Sequence, residues 1–187
     1  MTVTEVRLDL GWGPAKLSGT WTPDTSEIDA AWELYVELVT RIAVIPLTPE
    51  TGVIREALTS LYELFGATRA ILRKYGPAVA RATHKKGGEY RFGHLAVWLL
   101  NANVRPFLSY WHPALQQWEA SRRPEDSIAD HERAWPRAAE CRAALESLRQ
   151  VTIQYAEVLA LVCEAPALID ATHDLIAAAE RSDAATS

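Results

Sequence analysis

The sequence contains only two cysteines, Cys141 and Cys163, and no long hydrophobic run. Both cysteines fall on one predicted helix, where a rise of about 1.5 Å per residue places them about 33 Å apart. A disulfide requires Cα atoms within about 7 Å, so these two residues cannot pair with each other. Free thiols are typical of a reducing compartment, and we therefore predict a cytoplasmic protein.

Two kinds of apolar segment are missing. A transmembrane helix needs about 18 consecutive apolar residues, and no stretch of the chain is that long. The opening residues, MTVTEVRLDLGW, lack the basic and apolar regions of a secretory signal. The sequence therefore predicts neither a transmembrane segment nor secretion.

The common catalytic and metal-binding motifs do not occur either. The phosphate-binding patterns G-x-x-x-x-G-K-[ST] and G-x-G-x-x-G are missing, as is the G-x-S-x-G turn that positions a nucleophilic serine. The spacings H-E-x-x-H, Glu-x-x-His and C-x-x-C, which converge ligands on one metal, are missing as well. We predict no metal and no cofactor, and these absences favour a non-enzymatic protein.

Positive charge is concentrated in one segment of an otherwise acidic chain. Between Arg69 and Arg91, seven cations and one anion give a net charge of +6, which leaves −11 for the rest of a chain whose total is −5. Nucleic-acid-binding proteins present a broad basic surface instead. We therefore do not expect nucleic acid as a partner.

Residues 3–22 are the only β-strand candidate. Apolar Val6, Leu8 and Leu10 alternate with polar residues, and the turn signal GWGP follows them. We expect a short hairpin packed on the rest of the chain, because a lone hairpin is marginal in water.

Four later segments show the apolar spacing of amphipathic helices. The first begins at Thr25 or Ser26, with Ser26 as N-cap, and ends before Pro46; its seam is Ile28, Trp32, Tyr35, Val39 and Ile42. The second covers residues 49–75, and the third starts at 89–91. The fourth covers 127–163, where Pro136 can set residues 127–134 apart. Its seam is Cys141, Leu145, Leu148, Thr152, Tyr155, Leu159 and Val162.

These segments predict an all-α protein. The expected fold is an up-down four-helix bundle with a kinked third helix, a short N-terminal β-hairpin and a short C-terminal helix. The hairpin would cover residues 1–24, the bundle 25–166, and the short helix and tail 167–187. A long coiled-coil dimer is the alternative. The bundle is favoured because aromatic-rich seams from several segments can cover one another within one chain.

The segment 95–119 is apolar, yet it contains several polar residues and two prolines. If residues 94–119 form one helix, a single stripe contains His94, Trp98, Asn101, Arg105, Leu108, His112, Leu115 and Glu119. Pro106 should kink this helix, because its ring clashes with the carbonyl of Ala102. Pro113 begins either a continuation or a separate short helix.

Two interpretations of this stripe remain open. One is a polar groove for a small anionic ligand, lined by Arg105, His112, Asn101, Glu119 and His94. The other is structural: Arg105 is an ion-pair partner that is at least half-buried, and Asn101 satisfies carbonyls freed by Pro106. Removing one partner of such a pair would cost about 3–5 kcal/mol, which explains the residue without a ligand.

Two further features predict contact with a partner. Four cations flank the flexible Gly87-Gly88 pair, namely Arg81, Lys85, Lys86 and Arg91. Three tryptophans surround the connection between the third and fourth helices, namely Trp111, Trp118 and Trp135. Tryptophan is enriched at interface hot spots, although core packing is the alternative. For the cations, the alternatives are a solvated loop or a weak contact with anionic lipid.

Several short motifs carry a resemblance over residues 90–160. They are Arg105-Pro106-Phe107-Leu108, Trp111-His112-Pro113, Trp118-Glu119, His131-Glu132 and Trp135. Together they resemble small all-helical accessory proteins of actinobacterial conflict and immunity gene clusters. The resemblance implies an accessory or regulatory role and carries over no catalytic residue.

The sequence thus predicts a non-enzymatic helical interaction module, an accessory or regulatory component of a bacterial defence or signalling system. Its partner would be another protein or a second copy of the chain. The alternative is a small anionic-ligand-binding protein, or an unrecognised enzyme, with a pocket at the Arg105/Pro106 kink.

Overall fold

The computed structural model describes residues 5–11, 16–41, 47, 52–81, 88–166, 168, 174 and 177. Within these ranges the chain is mainly helical and carries one small three-stranded sheet. The mainly helical class predicted from the apolar spacing is therefore confirmed. None of the helices it describes has the length and apolarity needed to cross a bilayer.

The predicted hairpin is confirmed. β1 (Val6–Leu10) pairs antiparallel with β2 (Leu17–Trp21), and the apolar residues of β1 are buried while the polar residues between them are exposed. Next to β1, the Gly11 N–H donates to Gln154 Oε1 at 3.2 Å. The hairpin therefore contacts the helical part of the chain, as expected for a strand pair too small to be stable alone.

A third strand, β3 (Glu89–Tyr90), lies parallel to β2. The sequence predicts a helix start here instead, because a two-residue strand shows no alternation and its partner is distant along the chain. The Thr20 N–H donates to the Gly88 carbonyl at 2.8 Å. This approach requires glycine at position 19, since a Cβ there would lie 2.2 Å from the Gly88 carbonyl oxygen.

The longest elements are helical. The α-helices are α1 (Thr25–Val39), α2 (Ile54–Tyr75), α3 (Phe92–Trp98), α4 (Arg105–Glu119), α5 (Ile128–Arg133) and α6 (Ala138–Val162). A 3-10 turn, Gly76–Ala80, follows α2. α1 packs against α2 and α6, and α2 also packs against α4.

The seam predicted for the fourth helix is confirmed, because all seven of its residues are buried in α6. Pro136 lies between α5 and α6, so residues 127–134 do form an element of their own. Ser127 is the N-cap of α5, and its hydroxyl oxygen accepts a hydrogen bond from the Asp130 N–H at 3.0 Å.

The seam predicted for α1 is wrong at Trp32, whereas Tyr35 is buried as predicted. Trp32 is 43% exposed, Ile28 and Val39 are half-buried, and Ile42 lies outside the described residues. The buried apolar face consists instead of Ala30, Ala31, Leu34, Tyr35 and Leu38. Two apolar stripes overlap on this helix, and its packing against α2 and α6 buries the second.

The start of α1 also differs from the prediction. Asp24, rather than Ser26, is the N-cap, and its carboxylate accepts from the Glu27 N–H at 3.0 Å. Glu27 Oε2 in turn accepts from the Asp24 N–H at 3.1 Å. This reciprocal capping box satisfies two backbone donors that the helix itself leaves free.

Residues 92–119 form one continuous helical run with a π-helical segment, Leu99–Val104, in its middle. Within it the Arg105 N–H donates to the Leu100 carbonyl, five residues back. This wider turn immediately precedes Pro106, whose ring would clash in an ideal α-helix. Pro113 lies inside α4, so it does not begin a separate helix.

The predicted C-terminal helix is described at only three positions. Leu168, Asp174 and Ala177 are helical. The remaining residues of that helix and of the tail lie outside the described ranges, so the prediction for them stays a prediction.

Candidate functional site

The polar stripe of the third helix faces α2, and the two helices run in opposite directions. At one end Arg105 lies over the Phe65 ring, with 5.0 Å from its guanidinium carbon to the ring centroid. In the middle, the ring centroids of His112 and Tyr62 are 6.3 Å apart. The predicted stripe is therefore one side of a seam between α4 and α2.

Arg105 does not form the ion pair that the structural interpretation predicts. It is exposed, and its Nε donates to Asn101 Oδ1 at 2.9 Å. It makes no salt bridge with any residue that the structure describes. The predicted buried ion pair is therefore wrong, and Asn101 accepts from a side chain rather than donating to a carbonyl freed by Pro106.

Replacing Arg105 by Ala should lower the free energy of unfolding by about 1 kcal/mol or less, because an exposed cation–π contact and one exposed hydrogen bond are lost. Urea denaturation measures this loss. Leu108→Ala, on the same stripe but buried, should cost about 2–5 kcal/mol. A loss above 3 kcal/mol for Arg105→Ala would show instead that the guanidinium is paired in solution.

The two histidines of the stripe are separated. His94 caps the start of α3, where its Nδ1 accepts from the Arg91 N–H at 3.2 Å. The π-helical segment between them changes the phase of the helix, so His94 does not join the α2–α4 seam. Burial and the charge of Arg55 lower the pKa of His112, while Glu119 raises it. His112 is therefore neutral at neutral pH.

At the other end of the seam between α2 and α4, an arginine and a glutamate form an ion pair. Glu119 accepts two hydrogen bonds from Arg55, at 2.8 Å from Nε and 2.6 Å from Nη2. This bidentate geometry is the strong form of an arginine–carboxylate pair. Glu119, predicted to line a ligand groove beside Arg105, is instead brought together with Arg55 at the start of α2.

A second carboxylate lies behind this pair. Glu132, on α5, accepts from the Ile54 N–H at 2.9 Å and from the Arg55 N–H at 3.3 Å. These are the free donors of the first turn of α2, where the helix dipole favours negative charge. Arg142 Nη2 donates to Glu132 Oε1 at 3.0 Å, and Glu132 is buried.

A cavity of about 260 Å³ opens beside these groups, where α4 ends and α5 begins. One wall is formed by Trp118 and His131, whose rings stack with centroids 4.8 Å apart. Trp118 Nε1 donates to the His131 carbonyl at 2.8 Å. His131 Nε2 lies 3.0 Å from the Trp118 carbonyl. Each ring is thus held by the backbone of the other residue.

The other two predicted interface tryptophans are core residues. Trp111 and Trp135 are buried and pack edge to face with ring centroids 6.0 Å apart. The guanidinium carbon of Arg137 lies 4.5 Å from the Trp111 ring centroid. Of the three, only Trp118 is half-buried and lines a cavity.

The predicted basic surface is described only in part. Arg91 is engaged inside the protein, since its Nη2 lies 2.5 Å from Asp24 Oδ2 and 3.1 Å from Glu27 Oε2. Arg81 is exposed. Lys85 and Lys86 lie outside the described residues, so contact of this segment with a partner or with lipid stays a prediction.

An open apolar groove of about 350 Å³ lies between α1 and α2. Its lining includes Trp32, Val36, Ala67, Ala70 and Ile71. Sequence reasoning missed this surface because it assigned Trp32 to the core. The available signal was that Leu34 and Leu38, with Ala30 and Ala31, already form a complete apolar stripe without Trp32.

The described residues include neither an activated cysteine nor a cluster of metal ligands. Burial raises the pKa of Cys141 to about 12 and that of Cys163 to about 11, so both stay thiols at neutral pH and neither is an activated nucleophile. Both are free, as predicted. No group of three or more His, Cys, Asp or Glu side chains in the described ranges is placed to hold a metal ion.

Comparison of this chain with protein families, with curated proteins and with solved structures finds no match. Function is therefore inferred from the residues of this chain alone.

Proposed function

We propose that this chain is a non-enzymatic helical interaction module, and that the groove between α1 and α2 binds an amphipathic helix of a partner protein. The exposure of Trp32 in that groove carries the proposal. A tryptophan that is 43% exposed leaves a large apolar surface in water, and tryptophan dominates the binding energy of many protein interfaces.

The shape of the groove favours a helix as the occupant. Ala67 and Ala70 line its floor on the α2 side, and small side chains let a helix backbone approach closely. Val36 and Ile71 add apolar surface on the two sides. An amphipathic helix buries apolar residues at intervals of three, four and seven positions in such grooves.

Three charged residues, Glu33, Glu37 and Lys74, also line the groove, and their pairing within the chain favours a partner with an apolar seam. Glu33 forms an ion pair with Lys74 and accepts from the Tyr75 hydroxyl at 2.7 Å. Glu37 pairs with Arg41. The acidic groups of the lining are thus already paired within the chain, which leaves apolar contact as the main attraction for a partner.

The proposal extends to two finer statements. The opposite directions of α2 and α4 support an up-down arrangement of the long helices as a four-helix bundle. The resemblance to accessory proteins of actinobacterial conflict and immunity clusters supports a role as an accessory or regulatory component of a bacterial defence or signalling system.

Replacing Trp32 by Ala should weaken partner binding about 30-fold, the effect expected of an interface hot spot. The partner is first captured in the source cells with a photo-crosslinking residue at position 70, which lines the groove and keeps Trp32 in place. It is then purified and its Kd is measured with wild type and variant. Because Trp32 is a surface residue, the circular dichroism spectrum and the melting temperature should change little.

Tyr62→Ala is the matched control, since Tyr62 is an aromatic on α2 that is 62% exposed and does not line the groove. It should leave the Kd unchanged. Equal weakening by both variants, or a reconstituted complex indifferent to Trp32→Ala, would refute the proposed surface. Self-association through Trp32, detected by light scattering, would assign the groove to a second copy and overturn the assignment to a different protein.

A further inference from the structure

We propose that the cavity between the end of α4 and the start of α5 binds a small organic anion, with a carboxylate or phosphate head and an apolar body. This site is distinct from the α1–α2 groove and shares no lining residue with it. Its polar lining comes from Arg55, Arg122, Glu119 and Glu132, and its aromatic wall from Trp118 and His131.

Each oxygen of the two carboxylates in the cavity already accepts at least one hydrogen bond. Both oxygens of Glu119 accept from Arg55. Glu132 Oε1 accepts from the Ile54 N–H and from Arg142, and Oε2 accepts from the Arg55 N–H. A cation entering the cavity would have to displace these donors, so the carboxylates do not favour a metal ion or an amine.

The guanidinium groups, in contrast, keep free donors. Within the described part of the chain, Arg122 uses only Nη1, which donates to the backbone carbonyls of Arg123 and Asp126 at 3.4 and 2.6 Å. Arg55 likewise uses Nε and Nη2, which leaves Nη1. An anionic acceptor in the cavity would replace the water on these donors with charge-assisted hydrogen bonds.

The net charge of the network favours a negatively charged ligand. Arg55 and Arg142 offset Glu119 and Glu132, and Arg122 makes no salt bridge with any described residue. One positive charge is left. The start of α2 lies beneath it, and the dipole of that helix adds to the attraction for an anion.

The aromatic wall indicates the apolar body. Trp118 and His131 hold each other in place through two ring-to-backbone hydrogen bonds, so the wall is formed before a ligand arrives. A rigid wall reduces the entropy lost on binding. The cavity volume of about 260 Å³ is below the range of drug-sized sites, which suits a single ring with one anionic head.

The test uses benzoate as the probe, and the indole N–H signals of the isotopically labelled protein as the readout. The Trp118 signal is identified by its loss in Trp118→Phe. Benzoate should shift that signal saturably in the millimolar range, whereas benzamide, its neutral counterpart, should not. Phenyl phosphate distinguishes the two heads: the tighter of the two anions identifies the chemistry that the site prefers.

Arg122→Gln should weaken benzoate binding about tenfold or more, because a charged hydrogen-bond donor is removed. Arg123→Gln is the control: it makes the same change of charge one residue away, at a side chain that pairs with Asp126. Both arginines are exposed, so folding is retained, and the dispersion of the amide spectrum verifies it.

Three results would overturn the proposal: no saturable shift of the Trp118 signal, equal binding of benzamide, or equal weakening by Arg122→Gln and Arg123→Gln. Trp32→Ala should leave benzoate binding intact. A failure of benzoate to bind the cavity would therefore be distinguishable from a failure of the partner protein to bind the α1–α2 groove.

Discussion

Replacing Glu27 by Ala should lower the free energy of unfolding by about 3–5 kcal/mol. Glu27 is fully buried, and its carboxylate joins the hairpin, α1 and α3. It accepts from the Phe92 N–H at 2.7 Å and from Trp21 Nε1 at 3.3 Å. Alanine would leave these two donors and the Asp24 N–H without this acceptor, and Arg91 would keep only its pair with Asp24.

Urea denaturation measures the loss for Glu27→Ala, with Asp29→Ala as the control on the same turn of α1. Asp29 is exposed, so its loss should be within about 0.5 kcal/mol of zero. Glu27→Gln keeps one acceptor oxygen and should cost less than alanine. Similar small losses for Glu27→Ala and Asp29→Ala would mean that the carboxylate does not hold these elements together.

The pH dependence of stability offers a second view of Glu27. Burial raises its pKa above the ordinary value of 4.5, although the N–H groups of Phe92 and Asp24 and the charge of Arg91 lower it. A raised pKa in the folded state means that the contribution of Glu27 to stability is fully present below pH 4.5 and is lost as the pH rises through the raised pKa. Glu27→Gln should remove this part of the pH dependence.

Replacing Glu132 by Ala should also cost about 3–5 kcal/mol. Its carboxylate, from α5, occupies the donors at the start of α2 and pairs with Arg142 on α6. α2 has no side-chain cap of its own, since Val53 is its N-cap residue. Glu132 thus supplies from a distance the cap that the local sequence lacks.

Amide hydrogen exchange gives Glu132→Ala a local readout besides urea denaturation. The amides of Ile54 and Arg55 should lose protection, because the carboxylate that accepts from them is gone. Glu140→Ala is the control: it removes an exposed ion pair with Arg137, worth at most about 1 kcal/mol. Equal losses of stability for Glu132→Ala and Glu140→Ala would disprove the role of Glu132 as the cap of α2. Unchanged protection of the Ile54 and Arg55 amides in Glu132→Ala would disprove it as well.

The two buried glutamates show which part of the architecture could not be predicted. Each accepts a hydrogen bond from a backbone N–H at the start of a helix that is distant along the chain. The separation is 65 positions for Glu27 and Phe92, and 78 positions for Glu132 and Ile54. Periodicity describes only neighbours on one element, so it cannot reveal that Glu27 reaches Phe92 or that Glu132 reaches Ile54. Sequence analysis accordingly passed over both residues as site or core candidates.

The candidate sites divide in the same way. The stripe of Asn101, Arg105, His112 and Glu119 was predictable, because all four lie within one helical run. That it faces Tyr62, Phe65 and Arg55 was not, because those residues belong to another helix. The π-helical segment also moves His94 out of the stripe. A regular 3.6-residue spacing cannot predict this segment, which lies next to Pro106.

The sequence by itself determined the elements whose signal is local. Alternation over Val6–Leu10 specifies a strand, and the seam from Cys141 to Val162 specifies a long buried helix face, because strand and helix repeats are fixed by backbone geometry. Tertiary structure alone decided which of two apolar stripes on α1 is buried, which left Trp32 in a groove. It also decided where Glu119 and Glu132 find their arginines, because the burial of a charge depends on partners brought from elsewhere in the chain.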